Sequence, residues 1–168
     1  MKPLVSIIMG STSDLPVMEK TARILNDMKI PFEMNALSAH RTPEEVEKFA
    51  RGAAARGIKV IIAAAGMAAH LPGVIAAMTP LPVIGVPINA SLEGLDSILS
   101  ILQMPPGIPV ATVGVNASQN AGILAAQIIT AGDEKVMKEI IRYKEDLRKK
   151  IVEANTELRK VQFKYKTN

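Results

Sequence analysis

The sequence predicts a three-layer α/β/α fold, with a flavodoxin-like, doubly wound parallel sheet of about five strands and one long C-terminal helix. Three observations lead there. Short apolar runs recur along the 168 residues and are continuous rather than alternating, as strands buried on both faces must be. Segments with helical spacing separate them, so successive strands are joined by crossovers. The length suits one domain with a sizeable core, and aromatics are only 3% against 48% hydrophobic residues. That core must therefore be built from Ile, Val, Leu, Ala and Met.

Taken in order, "LVSIIM" (4–9) is a strand that ends at Gly10, and "SDLPVMEKTARILNDM" continues as helix. "PFEMNAL" (31–37) reads as the second strand, and "PEEVEKFARGAAARG" as a helix with Pro43 near its first position. "IKVIIAAAG" (58–66) is the clearest buried strand, followed by the small-residue segment "MAAHLPGVIAAMT". "LPVIGVP" (81–87) and "IPVATVGV" (108–115) supply the fourth and fifth strands, and "NAGILAAQIITAG" a further helix. From Asp133 the composition shifts. Met137, Ile140, Lys144, Leu147, Ile151, Ala154, Leu158 and Val161 recur at three- and four-residue spacing, a mostly apolar stripe on one helix. Such a helix of roughly 30 residues spans about 45 Å, more than the parent domain can cover. The expected organisation is a catalytic unit over 1–132 and a charged helical extension over 133–168, packed on its own domain or a neighbouring subunit.

Charge and composition exclude several classes. The net charge of +4 resides wholly in the tail, because residues 1–132 carry nine basic and nine acidic side chains and 133–168 carry eleven and seven. The tail mixes its signs and lacks interleaved aromatics, which argues against nucleic-acid binding. No run approaches the roughly 18 apolar residues of a membrane span, and none reads as a secretory leader, so a cytoplasmic protein is expected. With no cysteine there is no disulfide, thiol nucleophile or Cys-based zinc site. The only histidines, His40 and His70, lack metal-binding spacing, and GxSxG is missing. No metal or cofactor is expected.

Ligands of such a sheet bind at the carboxyl ends of its strands, which directs attention to four loops. "GSTSD" (10–14) offers Ser11, Thr12 and Ser13 hydroxyls, and Asp14 can cap the next helix, whose amides favour an anion. It is neither a P-loop nor GxGxxG. "SAHRTP" (38–43) joins His40, suited to carry a proton near neutral pH, to Arg41, suited to a phosphate or carboxylate. "AAAGMAAHLPGVIAA" (63–77) sets His70 between Gly66 and Gly73, small residues that admit a flat ligand, although a capped Ala-rich helix start explains them equally. Gln103, Met104 and the PPG turn read as structural punctuation. The residues alone thus reach acid–base chemistry on a phosphorylated small molecule, and no further.

"MGSTSD", "SAHRTP", "AAHLPG", "PVIGVP", "GLDSILSILQMPPGIPVATV" and "NAGILAAQI" occur in that order, and together, over about residues 4–131, the sequence resembles the class I PurE family, the 5-(carboxyamino)imidazole ribonucleotide mutases of purine biosynthesis. The resemblance implies a homo-octamer with active sites near subunit contacts, acting on a phosphorylated ribonucleotide without ATP or metal. A carboxylate moves from the exocyclic nitrogen to ring carbon C4. His40 matches the general acid/base; Arg41, Ser11 and Asp14 match ribonucleotide-binding positions. Ser13, Ser38, Gly66, His70 and Leu71 match loop positions around the ring and the CO2 pocket. A pathway partner, the ATP-dependent carbamate-forming synthetase, is also implied. Three departures stand out: Met67 where the family commonly has a second glycine, one residue fewer in "VPINASLEGLDS", and a longer, more charged tail. Direct carboxylation of aminoimidazole ribonucleotide by CO2, a non-catalytic nucleotide-binding module, and a carboxylase domain of cofactor biosynthesis are the alternatives.

Overall fold

A computed structural model describes residues 1–167. Five parallel strands, β1 (Val5–Met9), β2 (Phe32–Ala36), β3 (Val60–Gly66), β4 (Val83–Ile88) and β5 (Ala111–Thr112), lie in the order β2-β1-β3-β4-β5. The order reverses at β1, where β2 lies on one side and β3 on the other, in register Val5↔Phe32 and Val5↔Val60. The connection therefore switches faces there, opening a crevice at the carboxyl edge between β1 and its neighbours.

Why the strands are continuous hydrophobic runs is visible in the layers. Alternate side chains of β1 and β3 enter opposite cores. Val5, Ile7, Val60 and Ile62 meet α1 (Leu15–Asp27), α5 (Ser118–Thr130) and the first turns of α6 (Glu134–Lys160). Ile8, Ile61 and Ala63 meet α2 (Pro43–Ala53), α3 (Leu71–Met78) and α4 (Leu95–Leu102). Burying each large aliphatic side chain stabilises the sheet by about 1.5–3 kcal/mol. Helix placement is tight enough to require small residues. A Cβ on Gly122 of α5 would lie 2.4 Å from Ile24 of α1, and one on Gly85 of β4 would lie 2.4 Å from Ile101 of α4.

Two expectations are corrected. The fifth strand shrinks from 108–115 to Ala111–Thr112 at the sheet edge. Pro105, Pro106 and Pro109 precede it and lack backbone donors, so only a short ladder with β4 forms. In α6, Val136 and Ile140 face the core, with Tyr143 packed beside them, whereas Met137 is exposed. Asp133 caps this helix by accepting from the Lys135 and Val136 amides. Among the described residues no helix is long and apolar enough to cross a membrane.

Candidate active site

The carboxyl ends of β1, β2, β3 and β4 surround a cavity of about 470 Å³, within the usual size of a small-molecule site. The structure brings Ser11, Ser13, Asp14, Ser38, His40, Arg41, Gly66, His70 and Leu71 together around it. All nine expected site residues therefore share one wall-to-wall space, although they come from three separate loops. Gly73, Gln103 and Met104 do not line it. Met104 instead lies under α3, with its sulfur 3.0 Å from where a Gly73 side chain would begin.

The "SAHRTP" segment forms a tight turn that delivers His40 and Arg41 to the cavity. The Thr42 amide donates to the Ser38 carbonyl at 2.8 Å, and the Ser38 amide donates to Thr42 Oγ1 at 2.9 Å. Pro43 then starts α2 with a preset φ and no amide to leave unpaired. The Arg41 guanidinium bridges two strand ends. Its Nη2 donates to the Gly10 carbonyl at 2.7 Å after β1, and its Nε to Ser38 Oγ at 3.3 Å after β2. Nη1 has no protein partner among the described residues, leaving a charged donor for an anionic ligand.

His40 and His70, thirty positions apart, meet directly. Nε2 of His40 lies 2.9 Å from Nδ1 of His70, with the rings edge to face at 81°. Only one of those nitrogens carries the shared hydrogen when both rings are neutral, so the pair fixes each other's tautomer and orientation. His70 itself is set by the start of α3, where its carbonyl accepts from the Val74 amide and Pro72 occupies the first turn. Both rings are exposed to the cavity side. They can pass a proton to or from a bound molecule.

Beside them, the "GSTSD" loop makes a 3-10 turn, Thr12–Asp14, before α1. Its cap is Ser11, whose hydroxyl accepts from the Ser13 amide at 3.3 Å. Asp14 makes no side-chain cap, because the extra turn carries it past the capping geometry. Its carboxylate accepts from the Ser13 hydroxyl at 3.3 Å. Burial pushes the Asp14 carboxyl above the usual range, partly offset by the Ser13 hydroxyl, the Ser11 loop and the Arg41 charge. Gly10 has no left-handed backbone; its contribution is the carbonyl that Arg41 grips.

The cavity's floor depends on Gly66, where a Cβ would fall 2.8 Å from that of Ala90. The absent side chain lets the loops after β3 and β4 touch. Met67 adopts φ 55, the left-handed backbone natural to glycine, so the loop keeps that shape while a thioether, 58% exposed, stands at the rim. Sequence reasoning passed over Thr42, which closes the turn, and Ala90, which sits after a strand end with no polar group to draw notice. It also had no means to find the His40–His70 contact, since no periodicity links two loops. Among the described residues no group of three or more His, Cys, Asp or Glu side chains is placed to hold a metal ion.

Comparison with known proteins adds identity to this geometry. A family model described as AIR carboxylase matches residues 4–150. The chain is 55% identical over 148 residues to N5-carboxyaminoimidazole ribonucleotide mutase of Pyrococcus abyssi, covering 88% of this chain and 85% of that protein. It is 52% identical over 163 residues to phosphoribosylaminoimidazole carboxylase of Schizosaccharomyces pombe, covering 96% of this chain but only 30% of that much longer protein. A crystal structure of Treponema denticola PurE superposes with a TM-score of 0.82 at 33% identity, covering 93% of this chain and 98% of that one.

Proposed function

The chain belongs to the AIR carboxylase family, and from that premise we propose that it is a carboxyl-group mutase, an isomerase that converts N5-carboxyaminoimidazole ribonucleotide to its C4-carboxylated isomer in purine biosynthesis. The observation that carries this reading is the acid–base pair His40–His70 beside the Arg41 guanidinium in one cavity. The near-full-length match to the Pyrococcus abyssi mutase supports the same substrate.

The proton balance of the isomerisation requires one group to act twice. As the carbamate C–N bond breaks, CO2 departs and the exocyclic nitrogen takes a proton from His40. The electron-rich C4 then attacks the trapped CO2, and the displaced C4 proton returns to His40. No proton or electron is gained or lost, so neither ATP nor a redox partner is needed. His70 holds the His40 ring in position through the 2.9 Å contact. Arg41 binds the phosphate, and Ser11, Ser13, Asp14 and Ser38 take the remaining polar groups of the ribonucleotide. Gly66 and Leu71 give the ring and CO2 a small, dry wall, which keeps CO2 from escaping before recapture.

In this reading residues 1–132 form the catalytic unit and 133–168 an extension, within a cytoplasmic homo-oligomer, specifically an octamer. The substrate is a carbamate, so a separate ATP-dependent carboxylation of aminoimidazole ribonucleotide must supply it. Direct use of CO2 on aminoimidazole ribonucleotide is the second reading, favoured by the name of the Schizosaccharomyces pombe relative. One experiment separates them: purified protein is given each substrate without ATP, and the C4-carboxylated product is followed by ultraviolet absorbance. Acceleration with the carbamate alone is the expected result. Turnover that follows CO2 and ignores the carbamate selects the second reading, and no turnover with either overturns both.

A further inference from the structure

The lining of the cavity falls into two chemistries. Its polar groups, the loop serines, Asp14, Arg41 and the two histidines, all have a use in binding a ribonucleotide or moving its proton. Its apolar groups are mostly single methyls, from Ala39, Ala65, Ala68 and Ala90. Leu71 is larger but only 3% exposed, because its side chain is already packed into the core. Met67 stands apart from both sets. It lines the same cavity yet remains 58% exposed, a long apolar side chain at the site that the fold has not packed away.

Nothing in the fold asks for a side chain there. Met67 holds φ 55, a backbone that glycine adopts freely and that a Cβ opposes. Strain kept at a cavity rim, for a side chain that stays in solvent, is strain without a structural return. The base from which the side chain springs is fixed. Gly66 just before it would place a Cβ 2.8 Å from that of Ala90, so the loop after β3 rests directly on the loop after β4. Three residues on, His70 of the same loop meets His40 at 2.9 Å. One short segment thus carries both the thioether and the ring that holds the acid–base group. Three rotatable bonds let the thioether swing while the backbone stays still, and its polarizable sulfur suits contact with a flat heteroaromatic ring.

We propose that Met67 folds over the ring of the bound nucleotide and holds the released CO2 beside C4. The inference deepens the mutase reading and rests on it. Once the carbamate C–N bond has broken and the nitrogen has taken the His40 proton, two fates compete. In the productive one, C4 attacks CO2 and its displaced proton returns to His40. In the other, CO2 diffuses out, C4 keeps its proton, and water reprotonates His40. The net change is then carbamate plus a proton to aminoimidazole ribonucleotide plus CO2. His40 has already given its proton when the fates diverge, so it does not choose between them. The choice lies with whatever bars the exit. CO2 is small and uncharged, and offers the serines, Arg41 and the histidines little to grip, so an apolar barrier that excludes water is what retains it. The Met67 thioether has the length and the freedom to form that barrier. It sets the partition and takes no part in the proton transfer.

The test measures partition rather than speed. Substrate carbamate with an isotope-labelled carboxyl group is mixed with excess full-length protein in unlabelled bicarbonate, without ATP, for a single turnover. Labelled C4-carboxylated product is compared by mass spectrometry with aminoimidazole ribonucleotide and unlabelled product, less a protein-free control. The parent chain is expected to retain most of the label. Met67→Gly, which relaxes the backbone and removes the side chain, is expected to lower the ratio of label retained to label lost several-fold. Met67→Leu, of similar bulk, is expected to bring the ratio back near that of the parent. Retention unchanged in Met67→Gly overturns the proposal, as does equal loss in both variants. A second measurement needs no substitution. With the C4-carboxylated nucleotide bound, oxidation of Met67 by dilute hydrogen peroxide is expected to slow several-fold relative to the exposed Met137 of the same chain. An unchanged rate overturns the closure. A parent chain that makes no product from the carbamate overturns the mutase reading, whereas product formed with equal retention in the parent and Met67→Gly overturns the role of Met67 alone.

Discussion

The chemistry of the site rests on individual side chains whose neighbours determine what they can do. His40→Asn keeps a polar side chain of similar reach but cannot cycle a proton. Its turnover is expected to fall about 10²–10⁴-fold, the usual worth of a positioned acid–base group. Nucleotide affinity, measured by calorimetry, is expected to stay within about 10-fold, since Arg41 and the serine hydroxyls remain. In the proposed mechanism His70→Ala removes the ring that holds His40 through the 2.9 Å contact, not the acid–base group itself. It is expected to lower kcat more than it changes KM; a change in KM alone would make His70 a binding residue. Asp14 makes a prediction of the opposite kind. The folded protein holds its proton more tightly than the unfolded chain does, because burial disfavours the charge. Its penalty therefore grows as pH rises through the carboxylate range and is fully present at neutrality. Asp14→Asn should melt at a higher temperature than the parent at pH 7, and the gain should vanish well below about pH 4. That exchange of stability for a poised carboxylate fits a binding role. Of the nine residues that line the cavity, Ser11, Ser13, Asp14, Ser38, His40, Arg41 and His70 stood out as polar groups in loops after strands, whereas Gly66 was singled out only as part of a small-residue loop and Leu71 only through the family resemblance. Their mutual contacts were not legible, since the turn held by Thr42 and the histidine pair arise only when separate loops converge.

Between elements, close approach sets the cost of change. Gly122→Ala gains about 1 kcal/mol of helix propensity but brings a methyl to 2.4 Å from Ile24. Overpacking of that kind costs about 1–3 kcal/mol, so the net should be destabilising. Adding Ile24→Val, which shortens the offending branch, should recover part of the loss in a urea titration. Met67 presents the reverse case. Its left-handed backbone costs a non-glycine residue about 1–2 kcal/mol, and glycine's extra freedom in the unfolded chain returns some of that. Met67→Gly should therefore stabilise by up to about 1 kcal/mol, with the loop shape unchanged. The loop after β4 shows the same strain at two successive residues: Leu92 and Glu93 take φ 44 and 55 before Gly94 relieves the turn at φ 83. Helices were legible from their three- and four-residue spacing and the central strands from continuous apolar runs. The existence of the edge strand β5 was legible but its length was not, because prolines that lie before a strand remove donors without altering its hydrophobic pattern.

For the whole molecule, the parallel sheet and its two-faced core followed from continuous apolar runs, and the site edge followed from the doubly wound fold class. The arm of α6 was legible as a stripe, but which part serves the domain was not: Val136 and Ile140 are buried while Met137 stays exposed. Truncation after Asp146 leaves Val136, Ile140 and Tyr143 in place. The shortened chain is expected to keep its circular dichroism per residue in the sheet and to show a melting temperature less dependent on protein concentration than the full chain. A parallel sheet also has a second rim, and here it carries none of the cavity. Lys29, at φ 59, turns the chain into β2, and Gly57, at φ 96 with open space around it, turns it towards β3. Chain opened or lengthened at those turns would emerge on the far side from His40. Insertion and catalysis occupy opposite ends of the same strands, so this scaffold can acquire tethers, fusions or new termini while its reaction stays intact.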